Sequence, residues 1–170
     1  MGVSNYKGRA LRALQFKENN TIRGVIGKSS PYPDGDTLVA PLPSQEEIPE
    51  PICFVKPQFI TLCRSVSVGG NIEIAGQRYE FVDDDSAIED NAYFLYALFK
   101  FDPTVGQPYG EFRQCGMVVN LVPADGYDDS DWLSPENVVD TGILCFTEND
   151  DKTTMSLARS ELIEMLFEVE

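Results

Sequence analysis

Histidine is absent from this 170-residue chain. That removes the Ser–His and Cys–His nucleophile pairs and every His-containing zinc site. The groups left that could do chemistry are four cysteines, the carboxylates, Arg113 and the single tryptophan, Trp132. Cys53, Cys63, Cys115 and Cys145 stand alone, with no Cys-x-x-Cys pair, and each lies in or beside an apolar run. This placement reads as buried free thiols in a reducing compartment, so neither a metal nor a disulfide is expected. The even count permits disulfides, but the opening residues MGVSNYKGRA lack the apolar stretch of an export signal. Asp83-Asp84-Asp85 invites a calcium reading; the alternating D-x-D-x-D-G spacing and distal Glu are missing, and the run reads as a solvated turn. The many other acids offer too many pairs for any two to stand out as acid and base. No Gly-rich phosphate loop or Walker motif is present. Catalytic residues, cofactors and metal ligands are therefore all expected to be none, and a hydrolase reading fails for want of a nucleophile–base pair.

The formal net charge is −15. Phosphate contact needs Lys and Arg, so nucleic acid is not an expected partner. No apolar run approaches the ~20 residues of a membrane span. Acidity of this size suits either a soluble surface with acidic loops or a mimic of DNA that occupies a basic groove. The carboxylates sit in scattered clusters rather than at phosphate-like intervals, which favours the first.

The elements that must position these groups read mainly as strands. The length suits one domain, and 42% hydrophobic residues are enough for a core. Residues 6–19 carry apolar groups at helical spacing, with Asn19-Asn20 as a stop. Residues 21–26 read as a strand. Residues 29–51 contain Pro31, Pro33, Pro41, Pro43, Pro49 and Pro51. Proline withholds a backbone donor and fixes φ, so this segment is barred from the middle of a sheet. Tyr32, Leu38, Val39, Leu42 and Ile48 give it apolar anchors. Two readings stand: an arm that packs on a neighbouring subunit, or a loop pinned to its own domain. Short strands follow at 52–55 and 59–63. Residues 72–82 read as a hairpin with its turn at Ala75-Gly76-Gln77.

Residues 92–101 are apolar on both parities, as in a strand covered on both faces. Residues 112–122 form the next strand, with Cys115, Met117, Val119 and Leu121 on its apolar face. Arg113 beside this run suits a pairing with an acidic loop or a partner carboxylate. Residues 123–140 are acidic and turn-rich; Trp132 among them reads as an interface anchor or as a lid folded over the sheets. Ser134-Pro135-Glu136 opens a helical turn.

The closing stretch, residues 142–170, organises the rest. It splits into an apolar run at 143–146, a polar turn at 148–152 and a second apolar run. In that second run Ile163, Met165, Phe167 and Val169 share one parity, the mark of a strand with one buried face. Its residue types also suit a terminal amphipathic helix with Leu162, Met165, Leu166 and Val169 on one stripe. Short strands with turn signals and few long helices indicate an antiparallel β-sandwich, with a short N-terminal helix and a long Pro-rich loop. The boundaries expected are one domain over 1–170, with 1–51 as helix, strand and Pro-rich arm and 52–170 as the sandwich body.

Phe112-Arg113-Gln114 entering a strand, a Gly-led strand from Gly142 containing Glu148-Asn149, and a closing strand with Glu161, Ile163, Leu166 and Phe167 occur in the same order in a known family. Ile26-Gly27-Lys28-Ser29-Ser30-Pro31-Tyr32, followed by Pro41-Leu42-Pro43, adds a weaker echo. This series resembles the baseplate wedge proteins of contractile-tailed phages, the T-even wedge protein numbered eight in particular. The resemblance covers about half the chain, which is far shorter than that protein, and departs from it at Asp150-Asp151-Lys152, where the family has Arg-Pro-Pro. It implies a largely β structural protein of the virion baseplate, assembled in the host cytoplasm. Such a protein would join neighbouring wedge subunits around the tail tube, with other wedge and tail proteins, or a second copy as a dimer, for partners. The expected contacts are Tyr32, Leu38, Val39, Leu42, Arg113 and Trp132. The competing reading is a small acidic phage-encoded inhibitor, of DNA-mimic type, of a nucleic-acid-binding host protein.

Overall fold

In the computed structural model, which describes residues 5–169, the chain divides into two compact units. The first comprises the residues up to Asn20, Phe59–Leu98 and those from Glu164 onward; the second comprises Thr21–Gln58 and Phe99–Ile163. The fold is mainly β, with antiparallel sheets and one long helix, α1 (Tyr6–Asn19), at the N-terminus. The strands in chain order are β1 (Ile22–Gly27), β2 (Cys53–Val55), β3 (Pro57–Val66), β4 (Ile72–Ile74), β5 (Gln77–Val82), β6 (Phe94–Phe101), β7 (Glu111–Val119), β8 (Val122–Pro123), β9 (Trp132–Leu133), β10 (Val138–Asp140), β11 (Ile143–Thr154) and β12 (Glu161–Glu168).

In the first unit, α1 begins where the Asn5 side chain accepts the Gly8 N–H at 2.8 Å, and ends where Asn20 Nδ2 donates to Phe16 O at 2.8 Å. A helix this short needs a surface to hold it. Ala10 and Ala13 are fully buried, Phe16 meets Phe167 edge-on, Arg9 pairs with Glu168, and Lys17 grips both oxygens of Asp84 at 2.7 and 2.6 Å. The triple-Asp run is thus a 3-10 turn tied to the helix by one of its acids. The sheet order is β12-β6-β3-β5-β4. The expected hairpin is β4–β5: Ala75 and Gly76 take φ of 50° and 78°, positive at both central turn residues, and Ile74 pairs with Gln77. Cys63, Tyr79 and Tyr96 centre a cluster to which Phe81, Phe94 and Leu166 add.

The closing segment is the strand β12, not a helix. Met165 and Val169 are buried, Ile163 and Phe167 half-buried. Leu166, on the other parity, packs on the aromatic cluster, so both faces of β12 carry apolar contacts. This is why the alternation read from the sequence was incomplete.

The second unit holds a sheet of order β11-β7-β1-β2-β9 and a small β10–β8 pair. All six residues of β1 are buried, as are eight of the nine in β7. A Cβ at Gly24 would come within 2.5 Å of the Phe99 ring, so the ring occupies the place a side chain would take. On the opposite parity Val25, Phe54, Val118, Leu121 and Leu133 form a core capped by Ile48 of the Pro-rich segment.

Two expectations need correction. The polar turn at 148–152 is strand: β11 runs on to Thr154, because its pairing with β7 resumes at Thr153↔Phe112 after Asn149↔Gln114. Three residues, Asp150 to Lys152, thereby oppose Arg113 alone, a bulge that absorbs the charged run without ending the strand. Trp132 lies in no free acidic loop either. It sits in β9, opposite Val55 of β2, and is half-buried.

Candidate partner interface

Residues 29–51 leave β1 and return to β2. The base of this excursion is closed by hydrogen bonds. Lys28 N–H donates to Pro49 O at 2.6 Å, and Glu50 Oε2 accepts from Ser29 Oγ and Ser30 N–H, both at 2.7 Å. Those donors hold the Glu50 carboxyl down to about 2. Inside the base, Pro33–Asp36 makes one helical turn. Tyr32 is 5% exposed and its hydroxyl donates to Arg113 O. Ile48 is buried in the core on the returning limb.

A clamp on β7 and β11 fixes the middle of the excursion. Arg113 is 3% exposed; its guanidinium donates to Ser29 O and to both oxygens of Asp36. This pairing holds the Asp36 carboxyl below its usual range. Next along β7, the Gln114 side chain donates to Asn149 Oδ1 at 2.6 Å and accepts from Gln45 Nε2 at 3.1 Å. Asn149 Nδ2 in turn donates to Val39 O at 2.7 Å. Asp150, in the bulge, lends its backbone N–H to the Tyr32 hydroxyl. Burial, and the repulsion of neighbouring acids, push the Glu148 and Asp150 carboxyls up.

What the clamp presents is an apolar tip. Leu38, Val39 and Leu42 are 48%, 45% and 68% exposed. Across the same unit lies a cleft of about 500 Å³ lined by Val105, Tyr127 and Trp132 with Lys100, Asp102 and Asn137.

The six residues expected at a partner contact therefore separate. Leu38, Val39 and Leu42 share the exposed tip, and Trp132 lines the cleft. Tyr32 and Arg113 face inward and are spent on this chain's own backbone and Asp36, so a partner carboxylate has no access to Arg113. Asp36, Gln45, Glu50, Gln114 and Asn149 were not picked out as site residues. For Gln114 and Asn149 the signal was present in the Phe112-Arg113-Gln114 and Glu148-Asn149 motifs, which meet where Gln114 pairs with Asn149; neither motif points to Asp36, Gln45 or Glu50.

The four cysteines are free. Burial pushes Cys53 and Cys63 to about 12 and raises Cys115 and Cys145, so none is poised as a nucleophile. Among the described residues no cluster of acids, cysteines or histidines is arranged to hold a metal. Nor, among the described residues, is any helix long and apolar enough to cross a membrane.

A β chain whose polar side chains are invested in presenting an apolar tip has the make-up of an assembly protein. The sequence profile of the family described as "Baseplate wedge 3 tail fiber network component" matches residues 1–169, and the chain belongs to that family. It is also 26% identical over 155 residues to "Virion protein 3" of Enterococcus phage phiEF24C, covering 88% of this chain and 84% of that protein. The role is thus that of a structural phage virion protein of the tail baseplate, in keeping with the resemblance read from the motifs.

Proposed function

We propose that the chain joins neighbouring wedge subunits around the tail tube, and that the clamped tip at 37–44 is a joining element. The observation that carries this is the contrast within one segment: Tyr32 and Ile48 are 5% exposed while Leu42 between them is 68% exposed. Fixing a loop in advance lowers the entropy lost on docking, and proline adds to this because φ is already set. The partners are other wedge and tail proteins or a second copy, reached after assembly in the host cytoplasm. The net charge of −15 keeps free subunits soluble and off nucleic acid. No catalytic step is part of the role. The two units work as one domain: the chain passes between them after Asn20, Gln58, Leu98 and Ile163, and β6 and β12 each supply residues to both.

The test is a triple substitution, Leu38→Ser, Val39→Ser and Leu42→Ser, followed by measurement of incorporation into baseplates. The variant should fold and fail to incorporate; normal incorporation would refute the reading. Excising 31–43 is a poorer test, because it strips Arg113 of its carboxylate and removes buried Tyr32.

A further inference from the structure

We infer that the Trp132 cleft is a binding site for an uncharged sugar, a pyranoside seated against Trp132 and Tyr127. The inference is independent of the joining role of the tip, because it concerns groups that the fold leaves without partners.

The cleft lies within the second unit and holds about 500 Å³, inside the usual range of about 300–1,000 Å³ for a small-ligand site. Trp132 and Tyr127 give it aromatic walls. Gly106, with φ 87°, leaves the indole uncrowded, since even a Cβ there would stand 3.8 Å from Cζ2. Neither the indole N–H nor the Tyr127 hydroxyl bonds to another described residue.

Two amides that line the cleft are fixed in orientation by the bonds at their other ends. Gln107 Oε1 accepts the Asp102 N–H at 2.8 Å. A backbone N–H only donates, so the oxygen must face it and the Gln107 NH2 is left over. Gln107 is 8% exposed, so a nearly buried side chain brings an unused donor to the cleft wall. The Ser134 hydroxyl gives its one proton to Glu136 Oε1 at 3.1 Å. It therefore accepts from Asn137, whose Nδ2 lies at 3.0 Å, and Asn137 Oδ1 remains as an unused acceptor. An oriented donor and an oriented acceptor beside aromatic rings suit a pyranose. Its hydroxyls donate and accept at once, and its C–H face packs on a ring. The arrangement is set before a ligand arrives, which lowers the cost of binding.

Charge decides against anionic ligands. Lys100 Nζ lies 2.6 Å from Asp102 Oδ2, and Lys100 and Thr104 hold that carboxyl down to about 2, so the pair stays matched. Lys56 donates to Asp129 O at 2.8 Å and lies 3.8 Å from Asp131 Oδ1. Arg23, whose Nη2 donates to Ser130 O, is 6% exposed and does not line the cleft. Among the described residues no cation in the cleft is left for a phosphate, sulfate or carboxylate, and the net charge of −15 repels them. Ring faces alone would equally suit a proline-rich peptide. Such a peptide has carbonyls for Gln107 but few N–H groups for Asn137 Oδ1, whereas a sugar hydroxyl serves either amide.

The test titrates the purified protein with the methyl glycosides of glucose, galactose, mannose and N-acetylglucosamine, and with glucuronate and N-acetylneuraminate as charged counterparts. The emission of the single Trp132 is the reporter. A saturable shift with a neutral glycoside is expected. It should be about tenfold weaker in Gln107→Glu, which keeps an acceptor for the Asp102 N–H and deletes the donor. Tyr127→Ala, at a residue 40% exposed and therefore tolerant of truncation, should weaken it likewise. Tighter binding of the charged sugars, binding that survives either substitution unweakened, or a shift with a proline-rich peptide alone would each overturn the inference. Unchanged emission with every glycoside at about 100 mM would do the same.

Discussion

Arg113 holds Asp36 across 77 positions of the chain, its Nε 2.7 Å from Oδ1 and its Nη2 2.7 Å from Oδ2. The fork-to-carboxylate geometry fixes the orientation of the Pro33–Asp36 turn as well as its position. Lysine at 113 would keep the charge and lose the fork. Arg113→Lys should therefore speed hydrogen exchange of the amides in 37–45, while those of β1 keep their protection. Mass spectrometry of exchanged peptides reads both at once; equal protection of 37–45 in the two proteins would show that the clamp does not order the tip.

The base of the segment should open in acid. Glu50 has its folded value depressed to about 2 from 4.5 by the Ser29 and Ser30 donors. A depressed carboxylate contributes stability that is complete above its unfolded value and is lost as pH falls through the folded one. Asp36 acts in the same sense beside Arg113. Glu148 and Asp150 act oppositely: their raised values mean that protonation favours the folded state as pH first drops into the carboxylate range. Proteolysis within 37–45 should stay slow down to about pH 4 and accelerate below it. Glu50→Gln should show fast cleavage already at pH 7. Identical pH profiles for the two proteins would count against the Glu50 closure.

The strands were largely legible, because hydrophobic periodicity reports burial and burial decides most strands. The helix at Tyr6–Asn19, the hairpin at Ala75-Gly76 and the both-faces-apolar β6 were each read from local pattern alone. The failures have one physical origin, pairing with a distant partner. Asp150, Asp151 and Lys152 look like a turn until β7 holds them as a bulge opposite Arg113. Asp36 looks like one more turn acid until Arg113 arrives from the far side of the chain. The inward placement of Tyr32 was equally hidden, since proline-rich context says where a segment cannot pair and not what its aromatic residue covers.

Close packing at β1 gives a stability prediction. The Phe99 ring occupies the space over Gly24, and an added methyl would meet it at 2.5 Å. Overpacking of this kind costs about 1–3 kcal/mol, so Gly24→Ala should lower the urea midpoint without changing the slope. Met165→Ala, at a fully buried site, removes volume instead and should cost about 2–5 kcal/mol. An unchanged midpoint in Gly24→Ala would mean that β1 shifts away from Phe99 at little cost.

The cysteines test whether the two units unfold together. Cys63 lies in the first unit, Cys53 and Cys115 in the second, and all three are buried. Burial holds Cys53 and Cys63 near 12 and raises Cys115 as well, so almost no thiolate exists in the folded protein and labelling waits for unfolding. With chain passages after Asn20, Gln58, Leu98 and Ile163, neither unit is a continuous segment that could fold first by itself. Pulsed alkylation across a denaturant series should therefore give one midpoint for Cys63, Cys53 and Cys115 alike. Fully denatured, unreduced protein should titrate all four thiols. Separate midpoints for Cys63 and the Cys53–Cys115 set would show two independently folding units and would sink the one-domain reading.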